Sequence, residues 1–500
     1  MPPILVFSII FGYFLVLMGI SWLTSRKATT DTFFTGNRQS PWYLVAFGMI
    51  GASLSGVTFI SVPGEVGNTN FSYFQLVLGY LLGYFVIATV LMPLYYRLNL
   101  VSIYTWLLDR FGQNSYKTGS FFFLLSQTIG ASFRLFLVAG VLQLAFFDAY
   151  NIPFEVSVLV SILLIWLYTY RGGIKTIVFT DTLQTFFMLL SVIISIYIIS
   201  NELNLSPGGI VETVQQHPFS ETFYWDWKTG QNFFKQFFSG AFIAIVMTGL
   251  DQNMMQKNLT CRNIGEAQKN MFWFSGSLIF VNLLFLSLGV LLYVYATDQG
   301  IALPERTDDL YPMLALGHFS LVAGVIFLLG ITAAAYSSAD SALTSLTTAF
   351  CVDFLHFERR PETQKQRIRK MVHIGFSVVM FGTIVAFRQI NDASVITSVF
   401  KAAGYTYGPL LGLYAFGLFT RYKVRDRWVP FLALASPVLS FIINENSEAW
   451  FNGYRFGFEI LIVNGLITFT GLLLLSKGKL QNPEELVYQR QQNRRKQLEA

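Results

Sequence analysis

Apolar runs of about twenty residues, separated by short polar stretches, recur from one end of the chain to the other. Thirteen can be delimited: 3–24, 42–63, 73–96, 118–147, 153–170, 177–200, 234–252, 273–296, 319–352, 371–388, 393–419, 429–445 and 456–476. Each is long enough to cross a ~30 Å hydrocarbon layer as a helix. The first run is of span length and has no small-residue cleavage site after it, so it reads as a retained helix and not as a signal peptide. "VSIYTWLLDRFG" (101–112) alternates apolar and polar positions at helical spacing and predicts a helix lying along the membrane surface. The longest polar segments are 201–232 and the tail 477–500. The pattern predicts an all-α polytopic membrane protein, with one transmembrane domain over 1–476 and a solvated tail.

Composition agrees. Of 500 residues, 53% are hydrophobic and only 12% charged, with mean hydropathy +0.51; soluble proteins carry roughly 25% charged residues. Charge also orients the chain. Of 34 Lys and Arg, only Lys228, Lys235, Arg306, Arg388 and Arg455 fall on the loops that alternate with the basic ones. The positive-inside rule then places the N-terminus outside and the tail in the cytoplasm. The net charge of +6 is thus a topological signal and does not point to nucleic acid. Cys261 and Cys351 both fall on the cytoplasmic side, where no disulfide is expected, and the four histidines lack metal-ligand spacing.

Two blocks of five runs, about 42–200 and 234–419, follow one another. An odd number of spans makes the second block enter the membrane from the opposite side, as in the inverted repeats of secondary transporters. Each block opens on an apolar run interrupted by small residues: "GMIGASLSGVTF" (48–59) and "SGAFIAIVMTGLDQ" (239–252). "GASLSG" (51–56) is cheap to unwind, and an unwound segment survives in lipid only where it lines a cavity or binds something. The same residues also fit a small-xxx-small packing face.

In "AAAYSSADSALTSLTTAF" (333–350), Ala334, Ser337, Ser338, Ser341 and Ser345 share one helix face. Paired hydroxyls facing exposed carbonyls would make an oxygen cage for a hard cation such as sodium. The plainer alternative bonds each hydroxyl to its own helix one turn back, the expectation for Thr347 and Thr348. Ionisable groups within the runs are costly and therefore functional candidates: Asp181, Asp340, Arg134 and Lys401, with Asp251 and Arg421 near run ends, where side chains reach the interface. A structural ion pair of Asp340 with Arg134 or Lys401 is the competing reading.

The chain resembles the sodium/solute symporters, the family of sodium/glucose, proline, sialic acid, iodide and vitamin cotransporters. The similarity covers roughly 30–420 and rests on "DTFFTGNRQSPWYLV", "YTWLLDRFG", "RGGIKTIVFTDTLQ", "GLDQNMMQKN", "AAAYSSADSALTSLTTAFCVDF" and "GYTYGPLLGLYAFGLF" in family order. The resemblance implies a LeuT-type fold of two inverted five-helix repeats. It implies a main sodium site of the carbonyls of Gly51, Leu54 and Ala334 with the hydroxyls of Ser337 and Ser338. Members that couple two ions would add a second site, here Asp181 and Ser341 with Asp340 in place of the usual Ser or Thr. Ser53, Ser55 and Thr58 match positions that touch substrate. Arg134 lies about one turn beyond the arginine with which sialic acid carriers hold a carboxylate, and Tyr80 replaces their glutamine, so sialic acid itself is not the expected solute. Lys401 is the second cation considered for an anionic solute.

The expectation is a sodium-coupled symporter importing a small organic solute by alternating access. Its partners would be that solute, sodium ions and the lipid bilayer of a plasma membrane, in the first instance a bacterial inner membrane. A solute sensor on the same fold would carry a long signalling domain beyond the short tail. An intramembrane aspartyl protease using Asp181 and Asp340 would need a Gly-x-Gly-Asp motif that neither residue has.

Overall fold

The structure, a computed structural model, describes residues 2–25, 36–355, 360–390 and 394–499. Arg26 and Lys27 of the first basic loop, and the start of "DTFFTGNRQSPWYLV", lie outside the described residues. In chain order the helices that concern function are α1 (Pro3–Ser25), α2 (Trp42–Thr69), α3 (Ser72–Arg97), α4 (Thr105–Arg110), α5 (Gln113–Leu142) and α6 (Phe154–Glu202). After the outer segment come α7 (Phe233–Gly249), α8 (Gln252–Asn258), α9 (Ile264–Asp298), α10 (Leu321–Ala349) and α11 (Glu362–Ile390). The chain ends with α12 (Val395–Thr406), α13 (Gly408–Phe419), α14 (Val429–Glu445), α15 (Ile460–Leu474) and α16 (Pro483–Glu499).

The apolar runs fall on these helices, with 393–419 divided between α12 and α13 and 234–252 reaching from α7 to the start of α8. Nine helices among the described residues are long and apolar enough to cross a membrane, and the bent pair α7–α8 makes a tenth. The runs 153–170 and 177–200 sit on a single helical assignment of 49 residues. A straight helix of that length would reach about 74 Å, yet its two ends meet the same neighbourhood. Phe154 packs 5.7 Å from Phe136, Arg306 lies 5.9 Å from that ring, and Tyr311, five residues on, bonds Ser195 at 2.6 Å. α6 therefore doubles back as two antiparallel stretches, the two spans that the hydropathy pattern anticipates.

Small residues set how closely the helices approach. A Cβ on Gly79 of α3 would lie 1.9 Å from the Phe237 carbonyl oxygen, and one on Gly240 of α7 would lie 2.0 Å from that of Leu76. The two backbones touch through reciprocal glycines, the packing that membrane helices use where no hydrophobic drive brings them together. α6 packs against both α2 and α10, and α1 covers α6 and α10 from outside. A two-stranded antiparallel sheet, β1 (Tyr422–Val424) with β2 (Ser476–Lys479), ties the ends of α13 and α15 together.

Candidate solute and sodium sites

Three helices are interrupted at one level of the bundle. In α2 the helical path breaks at Ser55, whose φ of 31° and ψ of 177° leave the helical region inside "GASLSG". A positive φ is strained for a non-glycine residue and is kept only where the surroundings impose it. Between α7 and α8 the axis turns by 69°. Leu250 and Asp251 leave helical geometry there, and Asp251 caps α8 by accepting from the amides of Asn253 (2.8 Å) and Met254 (3.3 Å). Tyr407 stands between α12 and α13 and donates its hydroxyl to Asp251.

These breaks border a cavity at the place where small-molecule sites of broken-helix transporters lie. Ser53, Ser55, Thr58, Tyr80 and Arg134 all line it, as do Leu54, Tyr84, Gln127, Asp251 and Tyr407. Among the described residues the Arg134 guanidinium makes no hydrogen bond or ion pair; the charged or ionisable groups facing it are Asp251 and Tyr407. Lys401 is not brought to this cavity. It is exposed, while its neighbours Val399, Phe400 and Ala403 turn the opposite face of α12 inward. The expectation that Asp251 reaches the interface is also corrected: it is 2% exposed, because the bend at the α7–α8 junction carries it into the core.

Behind the break in α2 lies a second constellation, centred on Asp181 of α6. Its carboxylate accepts from Ser337 Oγ at 2.7 Å and meets Lys257 Nζ at 2.6 Å, with both charged side chains 1% exposed. With its amide turned to donate, Gln184 adds a contact at 3.2 Å. Thr185, one turn along α6, accepts from the Gly51 amide at 3.0 Å and donates to the Asp181 carbonyl at 2.7 Å. A Cβ on Gly51 would fall 2.2 Å from Thr185 Oγ1, so only glycine allows this approach. "GASLSG" is accordingly both a packing face and a helix break.

Gly51 and Ser337, two of the five expected ligands of the main sodium site, are therefore linked through Asp181 and Thr185. Leu54 borders the cavity on the other side of the same segment. Ser338 bonds its own helix one turn back, donating to the Ala334 carbonyl at 3.2 Å as in the plainer alternative. Thr347 and Thr348 bond their own helix one turn back. Asp340 is fully buried and accepts from Ser341 at 3.2 Å. Asp181 is paired with a cation, Lys257.

Lys257 escaped the sequence reading because its segment follows an apolar run and counts as a basic loop. The turn after α7 folds α8 back beneath α2, which makes a loop lysine a core residue. Asp251 and Lys257 six residues apart in "DQNMMQKN" are the only local signal. Tyr407 carried none beyond its place in "GYTYGPLL".

Comparison with known proteins places this geometry in a family. The chain is 24% identical to the sodium/sialic acid symporter NanT of Aliivibrio fischeri, over 82% of each chain. It is 25% identical to SiaT of Proteus mirabilis, over 83% of this chain and 84% of that one. The human sodium/iodide cotransporter is 24% identical over 79% of this chain and 62% of its own. A solved sodium-coupled sialic acid symporter in a substrate-bound outward-open state superimposes with a TM-score of 0.79 at 20% identity, covering 95% of this chain and 99% of that one. Mhp1, a nucleobase–cation symporter, does so with 0.53 at 12% identity, over 90% and 95%. The fold is thus the LeuT-type fold implied by the sequence motifs. The model of the sodium:solute symporter family matches residues 33–425, and the chain belongs to that family.

Proposed function

We propose that the cavity between the broken helices holds a small organic anion, which the chain carries with sodium by alternating access. Family membership makes it a sodium-coupled transporter of a small solute and not an enzyme. The observation that carries the anionic reading is Arg134: a guanidinium lining a partly apolar cavity, without a hydrogen-bonding partner among the described residues. A carboxylate would satisfy it bidentately. Ser53, Ser55, Thr58 and Tyr80 would supply the remaining polar contacts. Sodium would sit where the carbonyls of Gly51, Leu54 and Ala334 meet the hydroxyls of Ser337 and Ser338. The ion and the solute would then share the α2 segment, so that filling one site orders the other.

The energetics suit such coupling. One sodium ion falling through 100 mV releases about 2.3 kcal/mol, and a tenfold gradient adds about 1.4 kcal/mol. Together these support roughly 500-fold accumulation of a neutral solute. One sodium carried with a monoanion moves no net charge, so only the roughly tenfold concentration term drives it, and a second sodium would bring the potential back into play. The test is a thermal-shift screen of small carboxylates against purified protein with and without sodium, followed by uptake of the best ligand into proteoliposomes. Sodium-dependent uptake is expected. Arg134→Lys should weaken solute affinity at least tenfold while leaving sodium affinity within about twofold, since one fork-shaped pair is worth about 1.5–3 kcal/mol. Binding restricted to neutral or cationic solutes, or unchanged affinity in Arg134→Lys, would refute the anionic reading.

A further inference from the structure

A second large recess lies far from the transport cavity, at the face where basic residues concentrate. It is bounded by the end of α3, α4, the end of α13 and the start of α16. Three arginines line it, Arg97, Arg110 and Arg421, against a single carboxylate, Glu484. Arg110 is 3% exposed and spends its donors on the carbonyls of Gly417 (3.1 Å), Thr420 (2.9 Å) and Tyr422 (3.2 Å). No carboxylate stands within ion-pair distance of it among the described residues. Burial, with Arg490 nearby, lowers its pKa to about 10, the sign of a positive site short of negative charge. Among the described residues Arg97 is met by Glu484 of the tail helix, at 3.1 Å, and both side chains are more than half exposed. Arg421 is exposed.

The recess also lies at a boundary between apolar and polar surface. Phe419, at the end of α13, is 74% exposed and lines it; Leu474, at the end of α15, is 84% exposed. The β1–β2 pairing holds these two helix ends at one level. Bare apolar side chains beside an arginine-lined recess match a lipid whose acyl chains lie along α13 and whose headgroup enters the recess.

We propose that this recess binds the phosphate headgroup of an anionic phospholipid, with Arg97 and Arg421 as its ligands, Arg110 as a fixed charge behind them and Glu484 as the group it displaces. The chemistry, a phosphate monoanion between guanidinium groups, is one that a free phosphate shares, so the test separates the two. Full-length protein is released from detergent in native mass spectrometry after exposure to phosphatidylglycerol or to phosphatidylcholine, with inorganic phosphate as a third arm. Retention of phosphatidylglycerol over phosphatidylcholine is expected. Arg97→Gln and Arg421→Gln should each reduce that preference roughly fivefold, the effect of one basic residue at a charged headgroup. Glu484→Gln should raise it, and Lys423→Gln, a neighbouring charge outside the recess, should leave it unchanged. Equal retention of the two lipids overturns the proposal, as does an equal loss in Lys423→Gln. Inorganic phosphate that binds with the same dependence on Arg97 and Arg421, without lipid selectivity, overturns the assignment to a lipid. Thermal midpoints in lipid-free detergent check that the variants are folded. Because the arginines substituted are exposed and lie outside the transport cavity, failure here leaves the symport reading untouched.

Discussion

The Asp181 carboxylate is held by an ammonium, a hydroxyl and an amide, all buried, so its charge is matched inside the protein. Removing one member of such a pair strands the other, at about 3–5 kcal/mol. Lys257→Met should therefore lower the thermal midpoint sharply in sodium-free buffer, and Asp181→Asn on top of it should recover most of the loss. If Asp181 also belongs to a second ion site, sodium added to Lys257→Met should restore the midpoint; potassium serves as the control. A midpoint unaffected by Lys257→Met would mean that the pair is not formed in the resting protein. Ser337 belongs both to this cluster and to the proposed main sodium site. Ser337→Ala and Ser338→Ala are expected to raise the sodium concentration for half-maximal uptake with folding preserved, since alanine is a good helix former. Unchanged sodium dependence in both would place the ion elsewhere.

At the scale of elements, the interruptions of α2 and α7–α8 matter more than the helices they divide. Backbone groups freed at a break in the membrane need partners. Thr185 takes the Gly51 amide, Asp251 takes two amides of α8, and Tyr407 secures Asp251 from the α12–α13 junction. Tyr407→Phe would leave a buried carboxylate short of one donor, at about 1–3 kcal/mol. Uptake should fall more than expression in that variant, because the loosened junction borders the solute cavity. Equal losses would make Tyr407 a purely structural residue. The glycine contact between α3 and α7 has no room for a side chain: Gly79→Leu should abolish folded protein in a fluorescence-detected size-exclusion profile, while Gly276→Leu, with open space around it, should not.

For the molecule as a whole, the basic loops predict an external N-terminus and a cytoplasmic tail. The two native cysteines are fully buried, and burial pushes the Cys261 thiol up to about 12, so neither should react with maleimide. Single cysteines at Asn452, on an exposed turn, and Gly478, exposed on strand β2, then report sidedness directly. A membrane-impermeant maleimide should label Asn452→Cys in intact cells and Gly478→Cys only after permeabilisation. The reverse pattern would invert the topology.

Periodicity and composition alone determined the helical class and the apolar segments, and marked "GASLSG" as cheap to unwind, because a bilayer imposes one length and punishes unpaired backbone. Motifs in family order extended this to the fold and to the serine pair of α10. What the sequence could not reveal was which buried charges meet. Asp181 and Lys257 are 76 residues apart, Asp251 and Tyr407 are 156 apart, and both contacts exist because a 69° turn after α7 carries a loop-like segment into the core. Lys401 shows the converse: it lies in an apolar run, yet one step around α12 separates it from the cavity-lining Phe400 and leaves it exposed. Helix rotation and the direction taken at a break depend on packing with distant segments, so they are decided only when the tertiary structure forms.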